Sequence, residues 1–197
     1  MKNTYTWKEA FKDAHEAAKA GSPRSQNFVG YCYDIGRGVR RDMKMARHWY
    51  EKAAQNGQLD AIFNLAVIND KGLGIKRNAS RAVQLYRQAA LRGDLQAQSN
   101  LAVMLLDGDG VRKDTAAGLR WLRRAAQRGD LRAQYNLGRA YVSGDDGVQR
   151  NDTHARKWLS KAAKGGHAKA RRLLKSVQQQ KATRSSSAKR RAMSALM

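Results

Sequence analysis

Residues 57–92 read GQLDAIFNLAVINDKGLGIKRNASRAVQLYRQAALR and residues 93–128 read GDLQAQSNLAVMLLDGDGVRKDTAAGLRWLRRAAQR. Laid over one another, the two stretches agree at the opening glycine, at a small residue (Ala61, Ala97) and at a Leu-Ala pair (Leu65-Ala66, Leu101-Ala102). They agree again at Gly72-x-Gly74-Ile75 and Gly108-x-Gly110-Val111, and at a closing Ala-Ala pair. The register extends both ways: Gly21, Gly57, Gly93, Gly129 and Gly165 are each 36 residues apart. Ser25 and Ala133 repeat the small residue, Val29-Gly30 and Leu137-Gly138 the apolar pair, and Gly36-x-Gly38-Val39 the turn. In the fourth copy the turn is Gly144-Asp145-Asp146-Gly147-Val148, one residue longer. A fixed period between 20 and 50 residues is the mark of a repeat architecture, and it decides the fold before any local reading does.

Within a copy the residue types describe two antiparallel helices. Apolar residues recur at intervals of three and four, the spacing of one helix face, and this first helix runs from the repeat glycine to about Tyr33 or its equivalents. The glycine pair ends it, because glycine readily takes the left-handed conformation of a helix C-terminus. Asp42, Asn78, Asp114 and Asn151 then stand where a side-chain oxygen caps the first free amides of a second helix. That helix carries Trp49-Tyr50, Leu85-Tyr86, Trp121-Leu122 and Trp158-Leu159 and closes on Ala53-Ala54, Ala89-Ala90, Ala125-Ala126 and Ala162-Ala163. A lone hairpin cannot bury such a face, so copies must stack. The phase predicts a capping helix over 1–20 and repeats over 21–56, 57–92, 93–128 and 129–165. It ends with a capping helix over 166–179 and a flexible basic tail over 180–197. The expected fold class is all-α.

Ala133-Gln134-Tyr135-Asn136-Leu137-Gly138-x-x-Tyr141, the Gly-x-Gly-Val turn, an Asp cap and Ala46-x-x-Trp49-Tyr50-x-Lys52-Ala53-Ala54 together resemble the Sel-one-like repeat. That family is an α/α-solenoid relative of the tetratricopeptide repeat, and the likeness covers roughly residues 10 to 175. Asn69 and Leu105 depart from it, standing where the family tends to carry the aromatic of Tyr33 and Tyr141. The cysteine-rich secreted branch is not matched. The resemblance implies a right-handed superhelix of about four repeats that serves as a non-catalytic scaffold for protein complexes, often in bacterial signalling, stress or host contact.

Two surfaces are candidates for function. Positions three, seven, ten and fourteen after the repeat glycine share a face beside the core positions of the first helix. In stacked hairpins that row lines the inner, concave surface, and it holds Arg24, Phe28, Tyr31, Asp60, Asn64, Val67, Lys71, Gln96, Asn100, Val103, Asp107, Arg132, Asn136 and Arg139. Asn64, Asn100 and Asn136 recur at one position; an amide there can donate to and accept from an extended peptide, or can hold neighbouring helices together. The second surface is basic: Arg40-Arg41, Lys76-Arg77, Arg112-Lys113 and Gln149-Arg150 follow the branched aliphatic of successive copies.

Lysine and arginine number 39 against 16 acids, a formal charge of +23 in 197 residues. Self-repulsion on that scale weakens a compact chain, which points to an acidic partner or a polyanion. The last acid is Asp152, and thirteen Lys or Arg residues run from Arg156 to Arg191, ending in Lys189-Arg190-Arg191. Such spaced cations suit nucleic acid through counterion release, suit an anionic lipid surface, or serve as a solvated face. The tail lacks the aromatics of a stacking platform for single strands. The leading expectation is therefore a protein partner of acidic character, with sequence-independent RNA or DNA binding as the alternative.

Catalytic and cofactor chemistry finds no support. His15, His48, His154 and His167 fit no metal-ligand spacing and Cys32 is the only cysteine, so neither a zinc site nor an intrachain disulfide is expected. Asp107-Gly108-Asp109-Gly110 opens like a calcium loop, but its twelfth position is Gly118 rather than a bidentate glutamate. The Gly-x-Gly turns lack the lysine of a phosphate loop. No nucleophile stands beside a base at motif spacing. No enzyme activity, cofactor, small-molecule substrate or metal is expected. With no signal-like apolar run and no apolar stretch of spanning length, a cytoplasmic location is expected.

Overall fold

The computed structural model describes residues 6–144 and 148–180, and every regular element among them is helical. Nine helices of 13 residues follow one another: α1 (Trp7–Lys19), α2 (Pro23–Ile35), α3 (Met43–Gln55), α4 (Leu59–Lys71), α5 (Ala79–Leu91), α6 (Leu95–Asp107), α7 (Thr115–Gln127), α8 (Leu131–Ser143) and α9 (Asp152–Lys164). A tenth, α10, covers residues 168–180. The chain divides into two compact units, Met1–Lys113 and Asp114–Met197.

Local chemistry explains why each helix starts and stops. The Asp42 carboxylate accepts from the Lys44 and Met45 amides at 2.9 and 3.1 Å, and Asn78, Asp114 and Asn151 do the same for α5, α7 and α9. Each such cap offsets backbone donors that would otherwise lack a partner, stabilising its helix by about 1 kcal/mol. Thr6 and Glu9 form a reciprocal capping box on α1. The first helix of each copy ends on a left-handed glycine: Gly36, Gly72, Gly108 or Gly144.

The repeat glycine does not begin the first helix of a copy; it closes the second helix of the copy before. Gly57 has φ +78°, its N–H reaches Ala54 O at 2.9 Å, and the next N–H, of Gln58, reaches Ala53 O at 2.9 Å. That pair of bonds is a Schellman motif, and it consumes the carbonyls of the alanine pair. In the last copy Gly166 (φ +94°), not Gly165 (φ −75°), takes this position. The extra residue in the turn at 144–148 moves the register by one.

In unit 1 each helix from α1 to α6 packs on the next, and Ala18, Val29 and Trp49 form a core cluster flanked by Phe11, Ala14, Tyr33 and Met45. Tyr50 and Tyr86 are fully buried; burial of such a side chain stabilises by roughly 2 kcal/mol. In unit 2 α8 packs on α7 and on α9, while Leu159, Ala162, Ala170 and Val177 join α9 to α10. The core positions inferred four, eight and eleven residues after the repeat glycine are buried in α4 and α6 (Ala61, Leu65, Ile68; Ala97, Leu101, Met104). In the outer copies Ser25 and Ala140 are half-buried.

Candidate interaction surface

The row of first-helix positions stands clear of the core. Arg24, Tyr31, Asp60, Lys71, Gln96, Arg132 and Arg139 are exposed, and Phe28, Asn64, Val67, Asn100, Val103 and Asn136 are half-buried. The spacing that sets the core of a first helix therefore also sets this row. Asn64 Nδ2 donates to Asn27 Oδ1 at 3.3 Å, so one of the three repeated asparagines ties α4 to α2. Lys71, Asn100 and Val103 come together with Arg77, Asp70 and Asp109 in a groove of about 520 Å³ in unit 1. In unit 2 Arg132 and Asn136 line a groove of about 370 Å³ with Lys169 and His167. The His167 ring stacks on Tyr135 at 4.7 Å, and its Nδ1 accepts from the Ala170 amide at 3.2 Å.

The basic pairs split into two roles. Arg41 and Arg77 turn back on their own copy: Arg41 Nε donates to Asp34 O at 2.7 Å and Arg77 Nε to Asp70 O at 2.7 Å. Both acceptors lie in the last turn of a first helix, where free carbonyls and the negative end of the helix dipole favour a cation. Arg77 also bridges Asp70 and Asp109, and hydrogen bonding to Asp109 pushes its guanidinium further up from the ordinary arginine range. Arg150 pairs with Asp152 at 3.2 Å. Arg40, Lys76 and Arg112 stand exposed, and no acid pairs with them among the described residues. Lys113 is exposed beside Gly108. Lys189, Arg190 and Arg191 lie outside the described residues.

Sequence reasoning missed a buried polar position. Gln26, Gln98 and Gln134 are at most 6% exposed, and each Nε2 donates to the carbonyl of Ala18, Ala90 or Ala126 at 3.0–3.2 Å. Each side chain thus sews a first helix to the last turn of the helix before it. The recurrence at 36-residue spacing was visible, but Ile62 fills the position in the second copy and hides the pattern. Trp7 was also missed: it lies outside the repeats, yet its ring stacks on Phe28 at 6.0 Å with the Arg37 guanidinium 4.8 Å away.

Burial pushes the Cys32 thiol and the Tyr50 hydroxyl up, away from reactivity. Among the described residues no group of three or more His, Cys, Asp or Glu is placed to hold a metal. No helix there is long and apolar enough to cross a membrane.

Comparison with known proteins matches the repeat to a described family. The Sel1 repeat profile fits residues 23–58, 59–94, 95–130 and 131–167. A Sel1 repeat protein from Oxalobacter formigenes is 35% identical with a TM-score of 0.79, over 86% of this chain and 69% of that one. The antigen c5321 of uropathogenic Escherichia coli, which displays an SLR fold, is 36% identical with a TM-score of 0.77, over 81% of this chain and 34% of its own. The chitin synthase regulator SKT5 of Saccharomyces cerevisiae is 49% identical over 57 residues, which is 29% of this chain and 8% of the regulator. The match thus spans about a third of the antigen and a small part of the yeast regulator.

Proposed function

This chain belongs to the Sel1 repeat family, whose members generally mediate protein–protein interaction, and on that premise we propose a non-enzymatic adaptor that binds an acidic segment of a protein partner. The observation that carries this reading is the presence of a partly exposed first-helix row together with exposed Arg40, Lys76 and Arg112, which have no carboxylate partner among the described residues. The row supplies shape and amide hydrogen bonding; the cations supply steering, which raises the association rate and weakens with salt. The bacterial cytoplasm is the proposed setting.

The test begins with affinity purification from nuclease-treated lysate, followed by titration of any stoichiometric protein against wild type and the Arg40→Glu, Lys76→Glu, Arg112→Glu triple variant. The adaptor reading expects at least a tenfold loss of affinity in the variant and a wild-type affinity that falls with salt. An affinity unchanged by the triple variant removes the basic edge from the reading. Failure to recover any protein partner counts against the adaptor itself.

A second reading, sequence-independent RNA or DNA binding, draws on unit 2. There the carboxylates of Asp114 and Asp130 cap α7 and α8, and Asp152 meets Arg150. Lys157, Lys161 and Lys164 of α9 and Arg171, Arg172 and Lys175 of α10 are exposed, and among the described residues no acid pairs with them. Titration of a labelled duplex and a single strand at rising salt decides the matter. Micromolar binding that weakens steeply with salt, and falls when residues 178–197 are removed, favours this reading. No binding at about 100 mM salt ends it.

A further inference from the structure

The row positions of α2 differ in kind from those of every other first helix. Residues 24, 28, 31 and 35 follow the spacing of a single helix face, and they are Arg24, Phe28, Tyr31 and Ile35. The equivalent rows are Asp60, Asn64, Val67, Lys71 in α4 and Gln96, Asn100, Val103, Asp107 in α6. Those copies fold with Asn opposite Phe28, the smaller Val opposite Tyr31 and Lys or Asp opposite Ile35, so the repeat itself does not require a stripe of three large apolar residues.

The stripe is open. Tyr31 is 40% and Ile35 41% exposed, and Trp7, packed on Phe28, is 43% exposed. Among the described residues only Leu91 is another large hydrophobic so exposed, and it sits apart on α5. A contiguous apolar patch of this kind marks an interaction site, whereas a single exposed leucine does not. Cations accompany the stripe: Arg24 at its start, Arg37 over the Trp7 ring and Arg40 three residues further along the chain are all exposed. Among the described residues none of the three is paired with a carboxylate.

We infer that this stripe, with Trp7, is the anchoring site of the adaptor and takes an extended protein segment in which bulky apolar side chains are flanked by Asp or Glu. The inference rests on the adaptor reading above and adds the helix that anchors the segment and the segment's chemistry. Eleven residues of helix separate Arg24 from Ile35, a span of about 16 Å, which about five residues of extended chain cover. Charge complementarity selects the occupant. A second copy would bring the same patch face to face across a two-fold axis, setting Arg24, Arg37 and Arg40 against their own kind. An acidic segment meets them with opposite charge while its apolar side chains cover Tyr31 and Ile35.

The experiment uses the full chain, immobilised, and a displayed library of random peptides. Enriched peptides are synthesised, labelled and titrated by fluorescence anisotropy. The expected result is enrichment of sequences that join an aromatic or large aliphatic residue to at least two acids. Tyr31→Ala with Ile35→Ala should weaken them at least tenfold, and Arg24→Glu with Arg37→Glu should do so in a salt-dependent way. Gln88→Ala, on the exposed face of α5 and outside both the row and the basic edge, should stay within about twofold, and circular dichroism verifies that each variant is folded. All the substituted positions are on the surface or half-buried, so folding and binding can be read separately. Enriched peptides that ignore the Tyr31/Ile35 variant but respond to Asn100→Ala, in the row of α6, sink this inference and leave the adaptor intact. Enrichment of peptides lacking acids or apolar residues, or of none, also sinks it, and the adaptor is then judged by partner capture alone. Concentration-dependent dimerisation abolished by the Tyr31/Ile35 variant, or an oligonucleotide that displaces the peptides, assigns the stripe to another occupant and overturns the inference.

Discussion

Gly57 and Gly110 both have positive φ, but for different reasons. A Cβ on Gly57 would meet nothing within 4 Å, so the glycine serves only the left-handed turn after α3. A Cβ on Gly110 would fall on the Ala79 carbonyl carbon and lie 2.6 Å from Ala79 Cβ, at the first residue of α5. Gly38 against the start of α1 and Gly74 against Met43 at the start of α3 repeat that close approach. The second glycine of the turn is thus where one copy touches the helix N-terminus of the copy before. Gly57→Ala should cost about 1 kcal/mol, the left-handed strain alone. Gly110→Ala should cost about 3 kcal/mol or more, because backbone overlap adds to that strain. Urea denaturation of the two variants checks the ordering; equal midpoints would refute the stacking role of Gly110.

At the scale of the element, α1, α5 and α7 each hand a carbonyl of their last turn to a glutamine of the next helix. Ala90 O accepts from the Gly93 amide and from Gln98 Nε2 at 3.1 and 3.0 Å, so two helices share one acceptor. Gln98 Oε1 is buried with no hydrogen-bond partner among the described residues, which cancels part of what the Nε2 bond contributes. The second copy manages with Ile62 at this position, fully buried. Gln98→Ile should therefore leave stability within about 1 kcal/mol of wild type, apolar burial replacing a half-satisfied amide. Gln98→Ala loses both the bond and the volume and should cost about 2–3 kcal/mol. Thermal melts of both variants decide this. An isoleucine as damaging as the alanine would mean that the hydrogen bond, not the filling of space, joins the helices.

Over the whole molecule the dominant quantity is charge. Net +23 leaves many more cations than carboxylates to meet them, and Asp42, Asp94 and Asp114 turn their carboxylates to capping helices. Long-range repulsion between exposed cations is screened over about 10 Å at 0.1 M salt. Raising salt from about 20 to 500 mM should therefore raise the melting temperature by roughly 3 °C or more, the equivalent of about 1 kcal/mol in a chain of this size. Sodium chloride and potassium fluoride should act alike if screening is the cause. A melting temperature that is flat or falls with either salt would show that the exposed cations are already compensated.

The repeat, its helices and their caps were legible in the residues, because helix periodicity, Asp or Asn caps and left-handed glycines are local chemistry that recurs at a constant 36-residue spacing. The face carrying Asn64 and Asn100 followed from the same arithmetic. What required tertiary structure were the contacts between copies. The repeat glycine belongs to the helix before it, Gly110 lies against Ala79, and Gln98 reaches back to Ala90. Tertiary structure also separated Arg41 and Arg77, bent onto their own helix ends, from Arg40 and Lys76, which are not. Adjacent residues of one chemical type look identical in a sequence, and only the direction each side chain takes from the folded backbone tells a clamp from a free charge. For the same reason Trp7 gained its meaning only when α1 laid it against Phe28 of α2, beside the apolar stripe.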